Sequence, residues 1–134
     1  MRSVRYEKSG TVGHIILCSP PHNYLNMEFY EELGEAVRSA TSDDITAVLV
    51  RAEGPNFCGG GEPGVLGSLS PAEFRLLMSE FNRSYRAIEA LRVPTVAAVR
   101  GSVSGAVPAR GHGRRAREEL KPARPRLTAR ALAW

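Results

Sequence analysis

Hydrophobic and polar residues alternate in two short stretches near the start of the chain. Val4 to Lys8 alternate, Ser9-Gly10 interrupts the pattern, and Thr11 to Cys18 forms a second extended run rich in apolar residues. Alternation with a period of two is typical of strands, and a short break that contains glycine is typical of a hairpin turn. The pattern therefore predicts a β-hairpin over residues 4–18.

Two later segments have the spacing of amphipathic helices. The first runs from Met27 to Ala40, with Asn26 as its N-cap. The second runs to about Leu91 and begins at Ser70-Pro71-Ala72-Glu73, which combines a capping box with proline at the first helical position. Its apolar stripe consists of Phe74, Leu77, Met78, Phe81, Tyr85 and Ile88. We expect this stripe to pack into the core rather than to bind a ligand.

Two continuous apolar runs predict further strands, over 47–50 and 95–99. Such runs are typical of parallel strands that are covered on both faces, and a helix before each strand indicates a crossover connection. Each run leads into a loop rich in glycine. The first glycine-rich loop is Glu53 to Gly67, and the second glycine-rich loop is Gly101 to Gly105. The fold class predicted is α/β.

Length and composition are those of one globular domain. The chain has 134 residues, of which 43% are hydrophobic and 24% charged. No apolar stretch is long enough to span a membrane, and the first residues lack the pattern of a secretory signal, so we expect a cytoplasmic protein without membrane contact. Two cysteines cannot form a disulfide framework, and we expect both thiols to be reduced.

The net charge of +4 is unevenly distributed. Residues 1–105 hold 10 Lys or Arg against 12 Asp or Glu, whereas residues 106–134 hold 8 against 2. We therefore divide the chain into an α/β region, 1–105, and a basic tail of Ala, Arg, Pro and Gly, 106–134, which we expect to be disordered or poorly packed. Arg114-Arg115-Ala116-Arg117 could bind phosphate or direct localisation, but we favour a solvated run.

The first glycine-rich loop contains a formal dinucleotide motif, Gly59-Gly60-Gly61-Glu62-Pro63-Gly64. A dinucleotide site needs this motif directly between a strand and a helix. Here Arg51 to Cys58 separates the apolar run from the first glycine, and the next helix cap comes only at Ser70. We therefore expect the segment to continue as a loop and to bind no nucleotide.

Cys58 and Glu62 are the side chains of this loop that could carry chemistry. Cys58 has no basic neighbour in sequence to lower its pKa, so we expect a packed thiol rather than a nucleophile. Glu62 is either an acid or base, or a carboxylate that accepts hydrogen bonds from backbone N–H groups, and the sequence leaves both interpretations open. His14, His22 and His112 lack metal-ligand spacing, so we expect no metal site.

Two segments together resemble the enoyl-CoA hydratase/isomerase (crotonase) family. They are Phe57-Cys58-Gly59-Gly60-Gly61-Glu62 and Pro94-Thr95-Val96-Ala97-Ala98-Val99-Arg100-Gly101-Ser102-Val103-Ser104-Gly105. The opening hairpin followed by Pro20-Pro21-His22-Asn23-Tyr24-Leu25-Asn26 is also similar to the start of that family. The resemblance covers residues 1 to about 105, the N-terminal portion of a family member. It implies a partial crotonase-like ββα spiral.

The resemblance implies an enzyme of fatty acid metabolism that acts on acyl-CoA thioesters. In that family two backbone N–H groups form an oxyanion hole for the thioester enolate, and by position these fall on Gly61 and Ala106. A coenzyme A thioester is then the substrate, and no cofactor is tightly bound. The residues implied to help hold the coenzyme A moiety are His22, Asn23, Tyr24 and Leu25.

The chain departs from the family pattern after Gly105. Where hydratases of the family have a catalytic Glu, this chain has Ala109, and no second Glu stands near Leu127. Loss of a general acid or base lowers a rate by roughly 10²- to 10⁴-fold, so we expect impaired catalysis or none. Our hypothesis for the switch is a shifted reading frame or an alternative terminal exon, and the excess of 16 Arg over 2 Lys indicates GC-rich coding DNA.

Two other functions stay open at this point. The chain could be a non-catalytic truncated product that forms homo-oligomers or associates with full-length subunits, because Thr95 to Val99 would lack a neighbour at the sheet edge. The basic tail could bind nucleic acid, with an affinity that falls steeply with salt, and we regard this as the weaker interpretation. The acyl chain and the reaction type are not readable from the sequence.

Overall fold

The structure, a computed structural model, describes residues 1–104. The order of elements is β1 (Val4–Ser9), β2 (Val12–Leu17), α1 (Met27–Ser42), β3 (Ala47–Ala52), β4 (Cys58–Gly59), α2 (Pro63–Leu66), α3 (Pro71–Glu89), β5 (Thr95–Ala98) and β6 (Val103–Ser104). The predicted hairpin, both long helices and both later strands are confirmed, and the fold is α/β as predicted. The predicted tail, 106–134, lies outside the described residues.

Four strands form the main sheet, in the order β1-β2-β3-β5. The hairpin pairs β1 with β2 antiparallel, and β3 pairs in parallel with β2 on one side and β5 on the other. Helix α1 connects β2 to β3, and α3 lies on the connection from β3 to β5. Parallel neighbours require such crossover connections, which the alternation of helices and apolar runs predicted.

The core lies between one face of this sheet and the two long helices. Helix α1 begins at its predicted N-cap, where the Asn26 side chain accepts a hydrogen bond from the Phe29 N–H at 2.9 Å. Its buried residues are Phe29, Tyr30, Leu33, Ala36, Val37 and Ala40. Burial of each large apolar side chain stabilises the fold by about 1.5–3 kcal/mol. Packing of this apolar face therefore holds the helix against the core.

Within residues 1–104 the outer face of β5 is exposed, so the prediction that this strand is covered on both faces is wrong here, whereas the outer face of β3 is half-buried. Val48, Val50 and Ala97 are buried in the core, whereas Val96 on the opposite face is 37% exposed. An apolar run shows that apolar side chains stand on both faces of a strand. It does not show what covers them.

Helix α3 begins at the predicted capping box. The Ser70 hydroxyl accepts from the Glu73 N–H at 3.3 Å, and the Glu73 carboxylate accepts from the Ser70 N–H at 2.7 Å. Leu77 and Ile88 are buried, but Phe74 is 45% exposed, so the predicted stripe enters the core only after its first residue. Phe74 lies in the first turn, one turn ahead of Leu77, the first buried residue of the helix.

The first glycine-rich loop contains regular structure that the sequence analysis did not predict. It includes the short strand β4 and the four-residue helix α2, which begins with Pro63 directly after Glu62. The expectation that Pro63 and Gly64 continue a loop is therefore wrong. Proline suits the first helical position because its missing N–H needs no acceptor there.

Candidate active site

The two glycine-rich loops meet at one edge of the sheet. The first follows β3 and the second follows β5, and these strands are parallel neighbours, so their carboxyl ends lie side by side. Strand β4 of the first loop pairs in parallel with β6 of the second, with Gly59 opposite Ser104. The Cys58 N–H donates to the Ser102 carbonyl at 3.1 Å, and the Phe57 N–H donates to the Arg100 carbonyl at 2.9 Å. A backbone ladder thus joins the loops.

Gly60 lies close to the second glycine-rich loop. Its φ of +83° lies in the left-handed region, which favours glycine. A Cβ built on Gly60 would lie 3.3 Å from the Ser104 carbonyl oxygen. A side chain at this position would therefore meet both a strained backbone and a tight contact, which favours glycine.

Gly61 follows Gly60 in the chain and is half-buried. It forms a parallel bridge with Leu25, whose N–H donates to the Gly60 carbonyl at 2.9 Å. No acceptor among residues 1–104 takes the N–H of Gly61. The candidate donor is thus held by its neighbours and keeps its own hydrogen free in this part of the chain.

Leu66 of α2 packs against Gly61. A Cβ built on Gly61 would lie 2.5 Å from Cδ1 and 3.1 Å from Cγ of Leu66. Leu66 is itself 37% exposed and therefore presents apolar surface next to the candidate donor. Leu66 was not identified from the sequence, because the glycine-rich pattern did not predict α2. The pair Glu62-Pro63 was the signal available for a helix start.

The Cys58 thiol is fully buried between the loops. It donates to the Ser104 carbonyl at 3.3 Å and accepts from the Gly60 N–H at 3.4 Å. Burial raises the pKa of the Cys58 thiol, so it stays protonated at neutral pH. The arrangement agrees with a packed thiol, since both hydrogen bonds of the sulfur within residues 1–104 go to backbone groups.

Asn23 anchors the segment of residues 19–26, the proline loop. It is 1% exposed and adopts a φ of 50°, which asparagine tolerates better than most residues. Its side-chain oxygen accepts from the Ser19 N–H at 2.8 Å, and its amide nitrogen donates to the carbonyls of Glu53 and Asn56 at 3.0 and 2.9 Å. Its polar atoms are therefore occupied within the protein.

The other three residues expected to hold coenzyme A differ in exposure. His22 and Tyr24 stack with ring centroids 4.9 Å apart, and His22 is exposed while Tyr24 is half-buried. Leu25 is 4% exposed and belongs to the core. The Gly59 N–H donates to the His22 carbonyl at 2.7 Å, which places this segment beside the first glycine-rich loop. Direct contact with coenzyme A stays a prediction for all four residues.

Glu53 begins the first glycine-rich loop with an ion pair. Its carboxylate lies 2.6 Å from the guanidinium of Arg5, and this contact holds the pKa of Glu53 below its usual value. At the other end, the Glu62 carboxylate caps no N–H of α2. The N–H groups of α2 are therefore not partners of this carboxylate. Both interpretations of Glu62, an acid or base and a carboxylate that accepts from backbone N–H groups, stay predictions.

The second predicted donor, Ala106, lies outside the described residues, as does Ala109. The last described residue, Ser104, precedes Ala106 by two positions and pairs with Gly59. Among residues 1–104, no cluster of three His, Cys, Asp or Glu side chains could hold a metal ion. Asn56, which contacts both neighbouring loops through its side chain, was not identified from the sequence. No spacing rule marks such a residue.

Comparison with known proteins identifies a matching family. Residues 7–108 match the family model for enoyl-CoA hydratase/isomerase. YhaR of Bacillus subtilis, whose name assigns it to the same class, is 33% identical over 107 residues, which cover 78% of this chain and 42% of YhaR. EchA14 of Mycobacterium tuberculosis, named as an enoyl-CoA hydratase, is 36% identical over 87 residues, which cover 63% of this chain and 33% of EchA14.

Solved structures show the same fold. The crystal structure of enoyl-CoA hydratase from Thermoplasma volcanium superposes with a TM-score of 0.72 at 24% sequence identity, and covers 75% of this chain and 41% of that one. The chain therefore spans about two fifths of the length of YhaR and of the Thermoplasma volcanium enzyme, and one third of EchA14.

Proposed function

Because the chain belongs to the enoyl-CoA hydratase/isomerase family, we propose that its glycine-rich loops bind acyl-CoA thioesters and stabilise the thioester enolate. The observation that carries the proposal is the pairing of β4 with β6, which brings Gly60 against Ser104. The first oxyanion donor is the N–H of Gly61, and the second is the N–H of Ala106. The substrate is the coenzyme A thioester, with no tightly bound cofactor.

The chemistry of this site is electrostatic. Removal of a proton next to a thioester carbonyl moves negative charge onto the carbonyl oxygen, where two N–H donors stabilise it. The loss of one such donor typically costs about 3 kcal/mol of transition-state stabilisation. The free N–H of Gly61 within residues 1–104, and the backbone contacts that hold its neighbours, support its assignment as a donor.

The proline loop supplies the coenzyme A contacts in this proposal. The exposed His22 ring and the half-buried Tyr24 ring offer surface beside Gly59. Asn23 and Leu25 are buried and support this surface. The Asn23 side chain donates to carbonyls of the first glycine-rich loop, and the Leu25 N–H donates to the Gly60 carbonyl. We therefore assign direct contact to His22 and Tyr24, and support of the loop to Asn23 and Leu25.

Catalytic turnover is expected to be weak. The position where the resemblance implies a catalytic Glu holds Ala109. The absence of a general acid or base lowers the rate by roughly 10²- to 10⁴-fold, although the donors still polarise a bound thioester. Binding and polarisation are therefore more direct readouts of the site than product formation.

Calorimetry tests the proposal by comparing butanoyl-CoA with free coenzyme A. We expect the thioester to bind more tightly, and we expect Gly61→Pro, which removes the donor, to abolish that preference. Gly64→Pro is the matched control, because Gly64 lies in the first turn of α2 where proline is tolerated. Equal affinity of the unsubstituted chain and Gly61→Pro for butanoyl-CoA would remove the oxyanion assignment.

A second candidate function is association with other subunits, either a second copy or a longer relative. Among residues 1–104, β5 pairs on one side only, with β3, and Val96 on this edge strand is 37% exposed. An unpaired edge offers backbone donors and acceptors to another strand. Sedimentation of the chain alone and with a full-length relative tests this: Val96→Lys should weaken association, whereas Val65→Lys on α2 should not.

Nucleic acid and membranes are not the partners we propose. Binding of nucleic acid through the tail would weaken steeply with salt and would vanish on deletion of residues 106–134. None of the helices in residues 1–104 has the length and apolarity to cross a membrane. A cytoplasmic location stays a prediction.

A further inference from the structure

Asn56 lies where three loops meet. Its side-chain oxygen accepts from the Ser102 N–H in the second glycine-rich loop at 3.0 Å. Its side-chain nitrogen donates to the Pro21 carbonyl in the proline loop at 3.0 Å. Its backbone carbonyl accepts from the Asn23 side chain at 2.9 Å. One residue of the first glycine-rich loop therefore binds both neighbouring loops.

The chemistry of these contacts specifies an amide. The Ser102 partner is a backbone donor and the Pro21 partner is a backbone acceptor, so the side chain must accept on one side and donate on the other. A carboxylate could accept from Ser102 but could not donate to Pro21. Aspartate at this position would therefore keep one link and break the other.

Ser102 is held at both of its backbone polar groups by the first glycine-rich loop. Its N–H donates to Asn56, and its carbonyl accepts from the Cys58 N–H at 3.1 Å. Gly101 before it has a φ of +63°, and a Cβ there would collide with the Pro55 carbonyl oxygen. The entry into β6 thus lies directly against residues 55 and 56, and this contact sets the register of β4 with β6.

The link to Pro21 acts on the same strand from the other side. The proline loop bonds to β4 and to the residue after it, since Gly59 donates to the His22 carbonyl and Gly60 accepts from the Leu25 N–H. Asn56 binds this loop at Pro21, one residue before His22. The two side-chain hydrogen bonds of Asn56 therefore join the backbone segment before Gly61 to the second glycine-rich loop and to the proline loop.

We propose that Asn56 is a positioning residue of the thioester site: through Ser102 and Pro21 it holds the two glycine-rich loops in the register that aims the Gly61 N–H. This inference rests on the proposed function for its consequence, but the loop register itself exists without a ligand. Asn56 touches no reacting atom and acts through the backbone.

The experiment has two arms on the full chain, each comparing the unsubstituted protein with Asn56→Asp and with Asn82→Asp. Asn82 is exposed on α3 and gives the same change of charge away from the loops. The first arm measures amide hydrogen exchange without ligand. Asn56→Asp, which loses the link to Pro21, should raise the exchange rate of the Gly59 N–H, the donor to the proline loop, at least tenfold, and Asn82→Asp should leave it unchanged.

The second arm measures the absorption of bound cinnamoyl-CoA, whose band shifts to longer wavelength when its thioester carbonyl is polarised. Asn56→Asp should lose at least half of the shift seen with the unsubstituted protein, while Asn82→Asp keeps it. A general loss of stability would not produce this result at full occupancy of a folded protein. If Asn56→Asp fails to unfold cooperatively, Asn56→Ser, which is neutral and can make one link at most, replaces it.

The outcomes separate the two proposals. Unchanged exchange at Gly59 in the Asn56 variant would overturn the inference, whatever the spectra show. Raised exchange together with an undiminished shift would also overturn it, because the register would then not control the donor. Raised exchange with no shift even in the unsubstituted protein would uphold Asn56 as the link between the loops and would contradict the proposed function.

Discussion

The thiol of Cys58 donates a hydrogen bond to the carbonyl oxygen of Ser104 at 3.3 Å, across the gap between two loops that are 46 residues apart in sequence. The same sulfur accepts from the Gly60 N–H at 3.4 Å. A small, fully buried side chain thus supports the turn that carries Gly61 and contacts the loop that precedes Ala106.

This relationship predicts different effects for two substitutions of Cys58. Cys58→Ser keeps a donor and acceptor of similar size, whereas Cys58→Ala leaves the Gly60 N–H and the Ser104 carbonyl without this partner. We expect Cys58→Ala to lower the free energy of unfolding by about 1–2 kcal/mol and to weaken thioester binding, and Cys58→Ser to lose less. Urea unfolding and calorimetry measure these effects.

Cys18→Ala is the control for this comparison. Cys18 is also buried, and its thiol donates to the Arg2 carbonyl at 3.1 Å, far along the chain from both glycine-rich loops. It should lower stability without changing thioester affinity. Equal losses of affinity in Cys18→Ala and Cys58→Ala would argue against a local role of Cys58.

The contact between Gly61 and Leu66 predicts a rescue. Gly61→Ala places a methyl group against Leu66 Cδ1 while it keeps the N–H. We expect a loss of about 1–3 kcal/mol in stability from this overpacking, together with weaker thioester binding. Leu66→Ala should restore much of both in the double variant. A double-mutant cycle measures the coupling, and additive losses would show that the two residues do not interact.

The capping box of α3 predicts a local stability effect. Ser70→Ala removes the oxygen that accepts from the Glu73 N–H, and should lower the free energy of unfolding by about 1 kcal/mol. Ser79→Ala, on the exposed surface of the same helix, serves as the control and should change stability little. Thermal unfolding compares the two, and the reverse order would count against the cap.

The raised pKa of Tyr6 predicts a loss of stability at alkaline pH. Partial burial, together with a hydrogen bond to the Asp43 carboxylate at 2.8 Å, raises the pKa of Tyr6 from 10.0 to about 12. The protonated phenol is the form that the fold stabilises. Its contribution is therefore fully present below pH 10 and is lost as the pH rises through 12.

Tyr6→Phe tests this pH dependence. The variant should be less stable than the unsubstituted protein at pH 8, by about 1 kcal/mol, because it lacks the hydrogen bond. The difference should shrink between pH 10 and pH 12. Urea unfolding at pH 8, 10 and 11.5 measures it, and a difference that stays constant over this range would show that Tyr6 does not titrate as expected.

Local sequence signals determined most of the elements. The Asn26 cap, the Ser70 capping box and the alternation in the hairpin each involve residues close together in sequence, so these features can be recognised from the sequence alone. The continuous apolar runs likewise indicated parallel strands. The apolar run of β5 gave a wrong prediction for the outer face of that strand within residues 1–104, because the polarity of a side chain does not report what packs against it.

The candidate site was likewise only partly predictable from the sequence. Gly61 and the proline loop were predicted by resemblance to a family, and the sequence alone also determined that Cys58 has no basic neighbour along the chain. Only the tertiary structure placed Cys58 against Ser104, Leu66 over Gly61 and Asn56 between Ser102 and Pro21. The contacts of Cys58 and Asn56 join residues that lie 35 to 46 positions apart in sequence, and their geometry is decided by the parallel pairing of β3 with β5 and of β4 with β6. A periodic pattern along one segment contains no information about which carbonyl of another segment it will face.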